Sequence, residues 1–283
     1  MSIIFANAKI NIFLAVTGVR SDGYHNLLSL TVPLSLCDKI TLLEAGEDIF
    51  RTNDATLLGD NIVIKVVKYL KRYVGKNFSI ELEKNIPAMA GFGGGSSDGA
   101  AILKFLNKYY EINFSEDKLC KIALLFGADC PFFVKNKVAL VSGIGEKVAE
   151  LGGNFRANLA KYNILLFKPN FSVSTEEAYA KLRTRPELYI SEDMAMDLVS
   201  GLIANVNGFE QILPLFNTFS QIVFDGHKEL VSLRETLPCS MMLSGSGSGC
   251  FCIFQDPTLE PEIVHVVKFV LGENVFIKKC NVL

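Results

Sequence analysis

The chain has 283 residues, 49% of them hydrophobic and 20% charged, and its 28 Lys and Arg stand against 30 Asp and Glu for a net charge of −2. Such a balance lacks the basic footprint that grips a nucleic-acid backbone, so no nucleic-acid partner is expected, and the hydrophobic fraction excludes a disordered chain. At this length a single core stops growing and chains tend to divide, so two domains are expected.

Seven cysteines, at 37, 120, 130, 239, 250, 252 and 280, are odd in number and include no C-x-x-C pair, which reads as reduced thiols in a reducing compartment. The histidines, His25, His227 and His265, are too scattered for a zinc motif. The apolar start, MSIIFANAKINIFLAV, is interrupted by Asn7, Lys9 and Asn11 and has no signal-peptide cleavage site. The longest uncharged stretch, Pro238 to Gln255, is too rich in Ser and Gly to span a bilayer. A cytoplasmic protein with no membrane partner is expected.

Along the chain, a β-branched run at Ile10–Val16 predicts a first strand. A helix follows from Asp60, with Ile62, Val63, Val66, Val67 and Leu70 on one face and Gly75 as its stop. Phe78, Ile80 and Leu82 alternate with Ser79, Glu81 and Glu83, the pattern of a half-buried strand. Helices are predicted from about Ser96 to Tyr110, and after an N-cap at Ser115, with Phe114 and Leu119 as a hydrophobic staple and Gly127 as the stop. Further strands fall at Val138–Val141, Ile164–Phe167 and Cys250–Phe254. Strands and helices mix without regular βαβ alternation, so the class is α+β. The break at Leu151-Gly-Gly-Asn154 divides the chain into domains at about 1–155 and 156–283.

Pro87-Ala88-Met89-Ala90-Gly91-Phe92-Gly93-Gly94-Gly95-Ser96-Ser97 joins the predicted strand to the predicted helix. Four glycines let bare amides approach a ligand closely, and the helix start adds unpaired N–H donors and the positive end of its dipole. Together these predict an anion cradle for phosphate. No Lys follows the glycines, which excludes a P-loop, and Ser96 stands where the dinucleotide fingerprint needs glycine. Asp98 suits the helix dipole but opposes a bound phosphate unless a cation or Lys offsets it.

Two further segments could carry chemistry. Lys9 and Asn11 share one face of an otherwise apolar strand, which reads either as a solvated edge or as a polar pair serving a ligand. Asp129, in Gly127-Ala-Asp-Cys-Pro131, reads either as the cap of a short turn or as a catalytic carboxylate.

Ala8-Lys-Ile-Asn-Ile-Phe-Leu14, the glycine loop, Gly127-Ala-Asp-Cys-Pro-Phe-Phe133 and Leu243-Ser-Gly-Ser-Gly-Ser-Gly249, in this order, resemble the motifs of the GHMP kinase superfamily. Arg20-Ser-Asp22-Gly-Tyr24-His25 further resembles the branch that phosphorylates the 2-hydroxyl of a diphosphocytidyl-linked methylerythritol on the non-mevalonate route to isoprenoids. The resemblance implies a two-domain fold, the N-terminal half like domain 2 of ribosomal protein S5 and the C-terminal half ferredoxin-like. It implies ATP as donor, accompanying Mg²⁺, and a small cytidine-diphosphate alcohol as acceptor, handled by a monomer or weak dimer. Asp129 would take the acceptor's proton, with Lys9 beside it. Residues 87–97, Asn61 and Lys84 would serve ATP. Asn11, Tyr24, His25 and Tyr179 would serve the acceptor, His25 bonding the base and the two tyrosines stacking on it. Ser244–Gly249 could close over phosphate or merely connect strands. Phe92 and Gly99 depart from the usual leucine and alanine, and Gly99 should loosen the first helical turn. Homoserine or mevalonate kinases, a non-catalytic sensor of the same fold and an RNA-binding module are the rival readings; Tyr24–His25, the presence of both Lys9 and Asp129, and the acidic balance weigh against each in turn.

Overall fold

Two long strands, β1 (Ser2–Val19) and β2 (His25–Ala45), form an antiparallel hairpin around which the first half of the chain is built. The structure, a computed structural model, describes residues 1–59, 61–204 and 215–283. β1 is longer than the predicted Ile10–Val16, and β2 was not predicted. Pro33 in β2 contributes no amide and lies opposite Lys9, beside a register shift between Asn7 and Lys9. Such irregularity, with burial on both faces, breaks the alternation that marks a strand around Lys9 and Pro33, although Leu28–Val32 keep it.

The first sheet runs β3 (Ile49–Thr52), β4 (Asn77–Glu83), β2, β1 and β8 (Phe216–Asn217), with β5 (Ala139–Gly143) paired to β2 and β6 (Lys147–Glu150) to β5. One face is covered by α1 (Ile62–Val74), α2 (Gly94–Tyr109), α3 (Glu116–Leu124) and α4 (Cys130–Lys135), which bury Ile40, Leu82, Val66, Leu103 and Phe132 in one core. The second sheet, β11 (Phe276–Cys280), β7 (Asn163–Lys168), β10 (Cys250–Phe254) and β9 (Met241–Leu243), is antiparallel throughout. Its strands alternate. Ile164, Leu166, Phe251 and Ile253 join a core with Ile10, Leu30 and Val32 of the first sheet and with α7 (Glu192–Ala204). Leu165, Phe167, Cys252 and Phe254 face α6 (Thr175–Arg183), α8 (Phe219–Asp225), α9 (Lys228–Thr236) and α10 (Glu260–Leu271). That two-sided burial is the period-two consequence of strand geometry.

The helical signals read locally hold. Asn61 caps α1 by accepting from the Ile64 amide at 3.0 Å, Gly75 closes it at φ +64°, and Ser115 accepts from Lys118 N at 3.3 Å. Asp60 lies outside the described residues. The proposed division at 155/156 falls within α5 (Gly153–Leu159), the link between the two sheets. None of the seven cysteines is in a disulfide. Among the described residues no helix is long and apolar enough to cross a membrane.

Gly99 does not loosen α2, which runs unbroken through it. A Cβ there would come within 2.2 Å of the Ile62 methyl, so glycine is what lets α1 and α2 touch. Phe92 is fully buried, and a Cβ on Gly249 would lie 2.5 Å from its ring, so the larger residue is matched by a glycine across the seam.

Candidate active site

The glycine loop is held from three directions. Beneath it, the Lys84 ammonium bonds to Asp38 and, at 2.7 Å, to Asp98, all three side chains being buried. Asp38 also accepts from the Asn85 and Ile86 amides at 2.6 and 2.8 Å, fixing the chain as it enters the loop. The cation required to offset Asp98 is therefore Lys84. Burial still pushes the Asp98 carboxyl up to about 8, a rise that Lys84 opposes and Asp38 reinforces. The other two holds are the Phe92 carbonyl, which accepts from Lys9 N at 2.9 Å, and the second glycine loop, 244–249.

The two loops meet backbone to backbone. Ser244 Oγ donates to the Gly91 carbonyl at 2.9 Å and Gly249 N to the Ala90 carbonyl at 3.1 Å. A Cβ on Gly91 would lie only 1.9 Å from Ser244 O. Neither Ser96 nor Ser97 is the N-cap of α2. Gly93 is, at φ +75°, and no side chain bonds there, so the leading amides of the helix remain available to an anion.

Lys9 projects from β1 beside this seam and is only 4% exposed. Its Nζ donates to Asn11 Oδ1 at 2.5 Å and stands 3.9 Å from Asp129 Oδ2. Asn11 presents its oxygen to the amine because its Nδ2 is anchored on Ser29 Oγ at 2.8 Å and Thr31 Oγ1 at 3.2 Å. Burial holds the Lys9 amine below its ordinary value, and the Asp129 charge offsets part of that pull. Asp129 occupies the N-cap position of α4 yet makes no capping bond, and its side chain is 54% exposed. The solvated edge and the simple turn cap therefore both fail as accounts of these residues.

Lys9, Asn11, Gly91, Asp129 and Tyr179 line one cleft, whose apolar wall includes Leu14, Leu27 and Phe219. Tyr24, His25, Asn61 and Lys84 are not among its lining residues. Asn61 is engaged as the α1 cap and by donation to Leu57 O at 2.8 Å. Tyr24 is 59% exposed on the β1–β2 turn. His25 lies behind Tyr179, with ring centroids 4.6 Å apart, and its Nε2 is buried without a partner. Burial, and secondarily Arg183, hold its imidazole below the ordinary value. Pro87, Ala88 and Met89 form the approach to the loop, where Met89 takes φ +52°.

Sequence reasoning missed Ser29, Thr31 and Thr175, the last of which pairs through its hydroxyl with Ser246 of the second glycine loop at 3.0 Å at the cleft. The polar alternation Leu28-Ser-Leu-Thr-Val32 was a usable signal for the first pair.

Residues 61–137 match the family model for the GHMP kinases N terminal domain. The chain is 34% identical to a 4-diphosphocytidyl-2-C-methyl-D-erythritol kinase of Clostridioides difficile over 267 residues, 89% of this chain and 86% of that one. It is 35% identical to one of Carboxydothermus hydrogenoformans, covering 93% and 92%. A crystal structure of 4-(cytidine 5'-diphospho)-2C-methyl-D-erythritol kinase superposes with a TM-score of 0.78 at 26% identity over 99% of both chains. A mevalonate kinase of Methanococcus jannaschii, with a TM-score of 0.74 at 17% identity, shares the fold. The α+β architecture expected from the mix of strands and helices is thus the GHMP kinase fold that the motifs resemble. With a third of its residues shared along some nine-tenths of its length, the chain belongs to the 4-diphosphocytidyl-2-C-methyl-D-erythritol kinase family.

Proposed function

We propose that this chain transfers the γ-phosphoryl group of ATP to the 2-hydroxyl of 4-diphosphocytidyl-2-C-methyl-D-erythritol, in the cytoplasm, as a step of the non-mevalonate route to isoprenoid precursors. The observation that carries this reading is the buried Lys9 amine, 3.9 Å from an uncapped Asp129 and beside a glycine loop whose helix start is free of side-chain caps.

In this reading Asp129 accepts the hydroxyl proton as the oxygen attacks, and Lys9 draws the hydroxyl into place and balances the charge that develops. Asn11 aims the amine. Phosphoryl transfer demands chiefly position and electrostatics, which is what a buried, hydrogen-bonded amine supplies. Residues 91–97 receive the triphosphate through their amides. Lys84 and Asn61 serve ATP indirectly, the first by fixing the loop from below and the second by fixing the start of α1. No group of three or more His, Cys, Asp or Glu suited to an ion occurs among the described residues. A Mg²⁺ carried on the nucleotide phosphates, with Asp129 as the neighbouring carboxylate, fits this cleft and would screen the triphosphate charge.

The unpartnered, buried His25 Nε2 against the Tyr179 ring supports a cytosine-bearing acceptor over mevalonate or homoserine, which have no base to bond or stack. A single-turnover assay with ATP and each of the three alcohols tests this. ADP formed with the diphosphocytidyl alcohol alone supports the reading, and equal turnover of mevalonate or homoserine defeats it.

A further inference from the structure

We infer that Arg183 is a positioning residue for the base-binding end of the acceptor site, a reading that rests on the acceptor proposed above. It closes α6 and touches neither Lys9 nor Asp129. Thr175, Tyr179 and Arg183 are spaced four residues apart and so lie along one face of the helix. Each makes a different contact from that face. Thr175 Oγ1 meets Ser246 Oγ of the second glycine loop at 3.0 Å. Tyr179 lays its ring 4.6 Å from His25 and edge-on to Phe219 at 4.8 Å. Arg183 Nη2 donates to the Gly23 carbonyl at 2.7 Å.

Gly23 belongs to the turn that joins β1 to β2 and carries Tyr24 and His25. Among the described residues the turn's other hydrogen bonds are local: Arg20 N to Tyr24 O at 2.7 Å, Gly23 N to Arg20 O at 3.0 Å, and the Asp22 carboxylate, which accepts from Tyr24 N at 3.1 Å and pairs with Arg20. These fix the shape of the turn; its place relative to α6 is set by two ties, the His25–Tyr179 ring contact and the Arg183 bond to Gly23 O. Gly23, at φ +84°, has open space where a Cβ would stand, so the hydrogen bond to its carbonyl is what holds that residue to the helix. The Arg183 bond crosses 160 residues of sequence. It sets the distance between Tyr24–His25 on the hairpin and Tyr179 on the helix, the groups read as gripping the base. Over the eight residues from Thr175 to Arg183 the helix rises about 12 Å, so one rigid rod ties the phosphoryl-transfer end of the cleft to its base end.

Arg183 is exposed and can be replaced without disturbing the core. Arg183→Met should raise the acceptor KM about tenfold, the low end of the worth of a charged hydrogen bond, and leave kcat and the ATP KM within about twofold. Arg183→Lys, which keeps a charged donor, should recover most of the loss. The wild-type enzyme, measured beside them on the diphosphocytidyl alcohol, separates two failures. If the wild type does not turn over that acceptor, the proposed function is wrong. If it does, an unchanged acceptor KM in Arg183→Met, or a loss shared equally by ATP and acceptor, overturns the role of Arg183.

Discussion

Replacing Gly91 by alanine puts the seam between the two glycine loops to a direct test. The added Cβ would stand 1.9 Å from Ser244 O, and restoring an ordinary 3.4 Å contact requires the loops to part by about 1.5 Å. The Ser244 Oγ to Gly91 O bond, 2.9 Å long, does not survive that movement. Alanine at φ +71° adds a left-handed strain of about 1–2 kcal/mol, and the lost bond adds about 1 kcal/mol, for a total of about 2–3 kcal/mol. In a chain of this size that lowers Tm by roughly 5 °C. Because misplacement by about 1 Å costs about 10²-fold in rate, kcat should fall by about two orders of magnitude. Thermal unfolding and steady-state ADP release, measured together, give both numbers. Gly152→Ala is the control, since Gly152 sits at φ −63° with nothing within 4 Å of a built Cβ. Wild-type turnover and melting in Gly91→Ala would refute the view that the loops act as one cradle.

Asp129→Asn and Lys9→Met should each cut kcat by about 10²–10⁴-fold while a non-hydrolysable ATP analogue still binds, as titration calorimetry would report; retained turnover in Asp129→Asn removes it as the base. Tyr24→Ala should raise the acceptor KM by about 5- to 150-fold and leave the ATP KM alone, and equal effects on both would end the stacking role. The Asp98 carboxyl is held above its unfolded value by burial, so the folded state keeps its proton longer, and the stability this gives is lost as pH rises from 3.8 to about 8. Asp98→Asn leaves Lys84 and Asp38 as a one-to-one pair, so its Tm advantage over wild type should grow across that window and level off above it; a gap that is flat or shrinks with pH contradicts the buried-charge account.

What the sequence made legible was whatever a short window contains. The glycine loop, the α1 face, the Ser115 cap and the alternation at Phe78–Glu83 are each set by neighbours within about a helical turn or two, and each stands where it was read. The pairing of Lys9 with Asn11 was visible because residues two apart share a strand face. Long-range closure was not. Asp38 lies 46 residues before Lys84 and Asp98 lies 14 after it, so the triad beneath the loop has no local signature, although the charge of Asp98 announced that some cation was needed. Gly99 was misread for the same reason. Its helix propensity is local, but the Ile62 methyl that occupies the missing Cβ belongs to another helix.

The triad also accounts for a tension in the cradle. A loop that receives a triphosphate, as proposed for this one, gains from a rigid set of amides and loses from any buried negative charge nearby. Asp98, when ionised, is such a charge, one turn into the helix, and its Oδ1 has no partner. Yet Lys84 bridges Asp98 to Asp38, and Asp38 holds the Asn85 and Ile86 amides, so the carboxylate anchors the helix to the strand that delivers the loop. With two carboxylates sharing one ammonium, the cluster is neutral when Asp98 is protonated and carries one negative charge when it is not. The Asp38 bonds to the Asn85 and Ile86 amides do not involve the Asp98 proton, so they hold the entry to the loop whichever form Asp98 takes. If the loop receives phosphate as proposed, protonation of Asp98 lowers the repulsion an anion meets there, and Lys84 is what reconciles the carboxylate with that anion.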